Sequence, residues 1–171
     1  MAKFCSNLIT FAIFFAIYGR QSLSLIDLTR QNHKIIPHDI ISTDETDIRL
    51  TRNKLTTLGD GEFSNYPKLI NCYVNVNLIS HVSATAFTGT SLRLLHLARN
   101  RLAQFPDLRV VSASFAKLYI QSNSISVIPQ ELVDNMQALR YINIMWNPLV
   151  AIPDFTNVGS KHIHLVLNRI T

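Results

Sequence analysis

Asparagine returns along this chain at a nearly fixed interval, at Asn53, Asn77, Asn100, Asn123, Asn147 and Asn168, with spacings of 24, 23, 23, 24 and 21 residues. The surroundings return with it. Five residues before each asparagine stands Ile48, Cys72, Leu95, Leu118, Ile142 or Ile163, and three before it Leu50, Val74, Leu97, Ile120, Ile144 or Leu165. Two after come Leu55, Ile79, Leu102, Ile125, Leu149 and Ile170; five after come Leu58, Val82, Phe105, Ile128 and Ile152. Every complete window fills the template L-x-L-x-x-N-x-L-x-x-L.

The template has a physical reading. Two apolar residues one apart, just before the asparagine, describe a short strand with one face inward, because side chains alternate with period two. Successive strands then stack in parallel about 4.8 Å apart. The chain must turn sharply after each strand, leaving backbone groups buried, and an asparagine amide has both donors and acceptors to satisfy them and link one coil to another. The returning arc adds inward residues: Phe63, Phe87, Val133, Met136 and Phe155. Pro106, Pro129 and Pro153 follow the last template position, where an extended or 3₁₀ segment needs no N–H.

A weaker coil precedes these, with Ile26, Leu28, Gln31, His33 and Ile36 on the same template and Gln31 in the asparagine's place. Together these residues resemble the leucine-rich repeat of extracellular proteins, and the resemblance covers essentially all of residues 25–171. It implies an α/β-type solenoid, a horseshoe with short parallel strands on the concave face and loops, 3₁₀ turns and short helical arcs on the convex face. The domain expectation is a degenerate N-terminal cap over 25–44 and repeats over 45–171, five complete and a sixth truncated. The family's cap normally carries paired cysteines near Leu28, which this chain lacks.

Residues 1–24 read as an export signal. Lys3 gives a positive start, Leu8 to Gly19 is an uncharged apolar run, and Ser22-Leu23-Ser24 offers small residues for cleavage after Ser24. The run is short for a hydrocarbon layer of about 30 Å, and no second apolar stretch reaches spanning length. Loss of Lys3 and Arg20 lowers the net charge from +5 to +3, far from the basic runs of nucleic-acid binders. Cys5 leaves with the signal, so Cys72 stands alone and reads as a small core hydrophobe.

The residues between and beside the inward pairs line the concave sheet. Arg49, Arg52, Tyr73, His96, Arg99, Tyr119, Tyr141 and Trp146 form the candidate ligand-binding set, since Tyr, Trp and Arg dominate interface energetics. Cross-strand packing of exposed aromatics is the alternative, each such pair stabilising a sheet by only ~0.2–1 kcal/mol. His162 and His164 share one face, but His96 lies three strands away, about 14 Å, too far to complete a zinc site. No metal and no cofactor is expected. No nucleophile–base or acid–base arrangement, phosphate-binding loop or H-E-x-x-H occurs, so no enzymatic activity is expected.

The expected function is extracellular ligand recognition, of protein or glycan, by a secreted chain or the N-terminal part of a receptor ectodomain. A structural matrix protein similar to the small leucine-rich proteoglycans is the alternative, weakened by the missing cap cysteines. Export argues against a nucleic-acid partner. The sequence stops inside the sixth copy, which favours a piece of a longer ectodomain over an open C-terminal edge that self-associates.

Overall fold

Period-two alternation puts Ile48, Cys72, Leu95, Leu118 and Ile142 at the centres of three-residue strands, and all five are fully buried. The computed structural model describes residues 24–156, 158–159 and 162–164. The strands are β1 (Leu25–Asp27), β2 (Asp47–Arg49), β4 (Asn71–Tyr73), β6 (Leu94–His96), β7 (Lys117–Tyr119), β8 (Tyr141–Asn143) and β9 (His162–His164). They form one seven-stranded parallel sheet in that order, residue for residue in register, so that Asp47 faces Asn71 and Asn71 faces Leu94. Each crossover is one solenoid coil, the only way a parallel sheet can add neighbours without helices on both faces. The fold is a parallel-strand leucine-rich-repeat-type solenoid, poor in helix.

The arcs carry little regular structure. One holds a 3₁₀ turn, Arg109–Val111, and the next a short helix α1, Gln130–Asp134, which starts directly after Pro129 in extended conformation. Two coils add a second parallel ladder, β3 (Thr57–Leu58) with β5 (His81–Val82), for which the repeat template gives no signal. In the same two coils Phe63 and Phe87 stack face to face, 4.9 Å between centroids and 3° apart in plane, both buried. Among the described residues no helix is long and apolar enough to cross a membrane.

The asparagines lie inside. Asn77 Nδ2 donates to the carbonyls of Leu50 (2.9 Å) and Val74 (3.0 Å), while its Oδ1 accepts from the N–H of Leu55 (3.1 Å). Asn100, Asn123 and Asn147 repeat this pattern one coil on each time, and Asn53 accepts from two N–H groups, Gln31 and His33. Each amide therefore reaches back to the preceding coil. Asn168 and the residues before Ser24, expected to be an export signal, lie outside the described residues.

Two sequence expectations need correction. Gln31 does not extend the asparagine spine: its side chain is exposed and meets His33 Nε2 at 3.2 Å. With one methylene more than asparagine, its amide oxygen turns to the neighbouring imidazole rather than into the coil. Ile152, expected inward, is 40% exposed, on a stretch where Val150 and Ala151 are exposed as well. Phe155, also expected inward, is half-buried and packs against the core.

An inward column at eight residues before each asparagine, Leu69, Leu92, Phe115 and Leu139, is buried and completes the core. In the first repeat that position is Glu45. Burial raises its pKa, aided by the nearby Asp47 and Asp44, although a hydrogen bond from Ser24 opposes the shift. Before β2, His38 shares hydrogen bonds with Tyr66 Oη (2.8 Å) and Glu62 Oε1 (2.9 Å). These contacts tie the segment between β1 and β2 to the first arc.

Candidate functional site

The concave face is built from the outward positions of the strands, and its middle column carries rings. Register brings Tyr73, His96 and Tyr119 side by side on β4, β6 and β7. The Arg49 guanidinium lies 5.4 Å from the Tyr73 ring centroid, a cation–π distance. Tyr73 and His96 are 6.4 Å apart, and His96 stacks on Tyr119 at 4.9 Å and 16°. The next residue in that column is Asn143, and its small side chain lets Tyr141 lean in from the neighbouring column, 4.8 Å from Tyr119. Tyr141 in turn meets His164 at 5.2 Å. Side chains from six successive strands thus form one unbroken row.

Burial sets the electrostatics of that row. His96 is half-buried, and desolvation lowers its imidazole pKa; its Nδ1 is shielded from solvent without a hydrogen-bond partner among the described residues. Desolvation and the nearby Asp47 raise the Tyr73 phenol, with Arg49 pulling the other way. Arg49 Nη1 also approaches Asp27 Oδ2 at 3.9 Å, an exposed pair worth little. Asp47 accepts a hydrogen bond from Asn71 Nδ2 at 2.9 Å.

Not all of the expected residues join the row. Arg52, Arg99 and Trp146 directly precede an asparagine, where the backbone turns left-handed with φ of 58°, 54° and 59°. That turn swings their side chains to the rim, and Trp146, 57% exposed, makes no ring contact among the described residues. Conversely, the period-two argument extends one step past each strand to Thr51, Asn75, Ala98, Gln121 and Met145. Thr51 Oγ1 donates to Asn75 Oδ1 at 2.8 Å in this second column. His164 belongs to the ring row as well. Both additions follow from the same alternation, carried further along the chain.

Cys72 lies fully inside, and burial pushes its thiol pKa up, the opposite of an activated nucleophile. Among the described residues no three His, Cys, Asp or Glu side chains are grouped to hold a metal ion.

The family described as leucine rich repeat matches residues 46–102, the stretch holding the first buried asparagines. This is a leucine-rich-repeat chain. It is 30% identical to chicken (Gallus gallus) keratocan over 105 residues, covering 60% of the chain and 29% of keratocan. Human (Homo sapiens) lumican is 33% identical over 105 residues, 60% of the chain and 30% of lumican. Chaoptin of Tribolium castaneum is 30% identical over 124 residues, 69% of the chain and 16% of chaoptin. The leucine-rich-repeat chain therefore spans under a third of the length of these relatives. Among solved structures, the leucine-rich-repeat domain of a Shigella effector superposes with a TM-score of 0.60 at 23% identity, over 82% of the chain and 57% of that domain. A leucine-rich-repeat protein of Leptospira interrogans gives 0.61 at 17%, over 71% of the chain and 31% of its own length. At these identities the structures speak to the fold alone.

Proposed function

We propose that the chain is an extracellular recognition module that binds a macromolecular ligand through its concave sheet and carries out no catalytic step. The row from Arg49 through Tyr73, His96, Tyr119 and Tyr141 to His164 carries this reading. These residues sit on the face away from the core, where stability does not call for aromatic side chains, and Tyr and Arg are the residues that interfaces favour. The likeness to keratocan, lumican and chaoptin, extracellular leucine-rich-repeat proteins, supports export and binding as the setting. Secretion through the signal at residues 1–24 belongs to the same proposal.

The test pairs stability with binding. Tyr119→Ala and Tyr141→Ala are compared with the unaltered protein in thermal melting and against an array of purified extracellular proteins and glycans. The expected result is a small change in melting and loss of the ligands the unaltered protein captures. Melting that falls while capture persists makes the rings structural. The likeness to keratocan and lumican also favours a second reading, a structural matrix component. Retention of the secreted chain in deposited matrix, insensitive to the same substitutions, would select it.

A further inference from the structure

The acidic residues are distributed unevenly between the faces. On the concave strands they occur only at Asp27 and Asp47, in β1 and β2. Every acidic residue after Glu62, namely Asp107, Glu131, Asp134 and Asp154, belongs to an arc. From β6 onward the described concave positions and both rims hold no carboxylate at all, yet they hold exposed cations. Arg99 lies on the rim after β6, Lys117 opens β7, and Arg93 and Arg140 lie where the chain enters β6 and β8. Among the described residues none of the four makes an ion pair within 4.0 Å. Coulomb fields from such a one-signed surface steer an oppositely charged partner.

The rings decide what kind of anion fits. Sugars lie flat on aromatic faces, but the faces of His96 and Tyr119 are closed by one another at 4.9 Å and 16°, and Tyr141 covers Tyr119 from the other side. The row therefore offers ring edges, the phenol hydroxyls and imidazole nitrogens. Beside it lie the half-exposed apolar side chains of Leu94 and Met145, which a fully sulfated polymer would leave unused.

Building on the recognition role proposed above, we infer that the partner presents an acidic protein segment with interspersed apolar side chains, laid across β6, β7 and β8. Its carboxylates pair with Arg99 and Lys117 while its apolar side chains meet the ring edges and Met145.

The probes are a labelled peptide alternating Glu with Leu, its Lys-for-Glu counterpart, and a heparin-derived oligosaccharide, each titrated into the purified full chain. The acidic peptide is expected to bind, the basic one not. Binding should weaken about tenfold in the double variant Arg99→Ala/Lys117→Ala, a cost typical of losing charged contacts at an interface. It should weaken further as salt rises from about 0.15 to about 0.5 M. Unchanged melting of the variant shows that the fold persists, and Asp154→Ala, in an arc, serves as the control that leaves binding intact. Preference for the oligosaccharide, or peptide binding indifferent to both salt and the double variant, overturns the inference. So does binding of neither probe; the array experiment with Tyr119→Ala then still decides the recognition role on its own.

Discussion

The side-chain amide of Asn77 donates to the carbonyl of Leu50, 27 residues earlier, at 2.9 Å in the buried interior. The same NH₂ group also reaches Val74, and its oxygen takes the N–H of Leu55. One side chain thus satisfies backbone groups of two coils at once. Asn77→Ala leaves the Leu55 N–H without a partner and takes one of two donors from the carbonyls of Leu50 and Val74, which keep Asn53 and Asn100; a buried unsatisfied group costs about 1–3 kcal/mol. Destabilisation by roughly 2–4 kcal/mol is expected, read in urea unfolding. Asn77→Asp should be no better: it keeps an acceptor for Leu55 but buries a carboxylate against the carbonyls of Leu50 and Val74, with no donor for either. A loss below about 0.5 kcal/mol would place Asn77 outside the stabilising framework.

Val76 sits at φ 56°, a left-handed conformation in which a β-branched side chain crowds its own backbone. Arg52, Arg99, Ser122 and Trp146 occupy the same turn in other coils with more tolerant side chains. Replacing Val76 with Asn, which tolerates this region, should raise stability by about 1 kcal/mol. A fall in melting temperature would mean that the valine packs usefully against its neighbours.

Glu45 fills a column that Leu69, Leu92, Phe115 and Leu139 otherwise keep apolar. Its folded-state pKa is raised, chiefly by desolvation. A raised carboxylate pKa costs stability above the folded value and costs nothing below the unfolded one. Glu45→Leu should therefore stabilise, by roughly 1 kcal/mol near neutrality and less in acid. An equal gain at pH 3.5 and pH 7 would assign the effect to packing alone.

His96 runs the other way. Burial lowers its pKa below the ordinary value of 6.5, so the unfolded chain binds its proton first. Its contribution is complete above about pH 6.5 and declines as pH falls through the folded-state value. The expected result is that His96→Asn flattens the loss of stability between pH 7.5 and pH 5, measured by urea unfolding at each pH. A slope equal to that of the unaltered protein would assign the acid sensitivity to other groups.

Most of the architecture is legible in the sequence, for a definite reason. Ile48, Leu50 and Asn53 recur with fixed separations, and only stacked coils give one separation the same environment many times over. The column of Leu69, Leu92, Phe115 and Leu139 was equally regular and was missed because Glu45 breaks it in the first repeat. Gln31 matches the asparagines in position, but its amide, one methylene longer, lies exposed against His33. On the concave face, alternation locates Tyr73, His96 and Tyr119, yet it ends where the strand ends. It cannot follow Arg52, Arg99 and Trp146 around a left-handed turn, nor foresee that Asn143 yields its space to Tyr141. Such outcomes depend on neighbouring side-chain size, which a one-dimensional pattern does not carry.

The short ladder between Thr57–Leu58 and His81–Val82 has a mechanical consequence. Among the described residues, other adjacent coils add to the main sheet only isolated backbone hydrogen bonds, such as Ser124 N–H to Leu102, whereas this pair is clamped by a second ladder, with the Phe63–Phe87 stack beside it. Fraying that starts at either end must release both ladders together to pass this point. These two turns should therefore form the kernel of slowest amide exchange, the part of the spring that uncoils last.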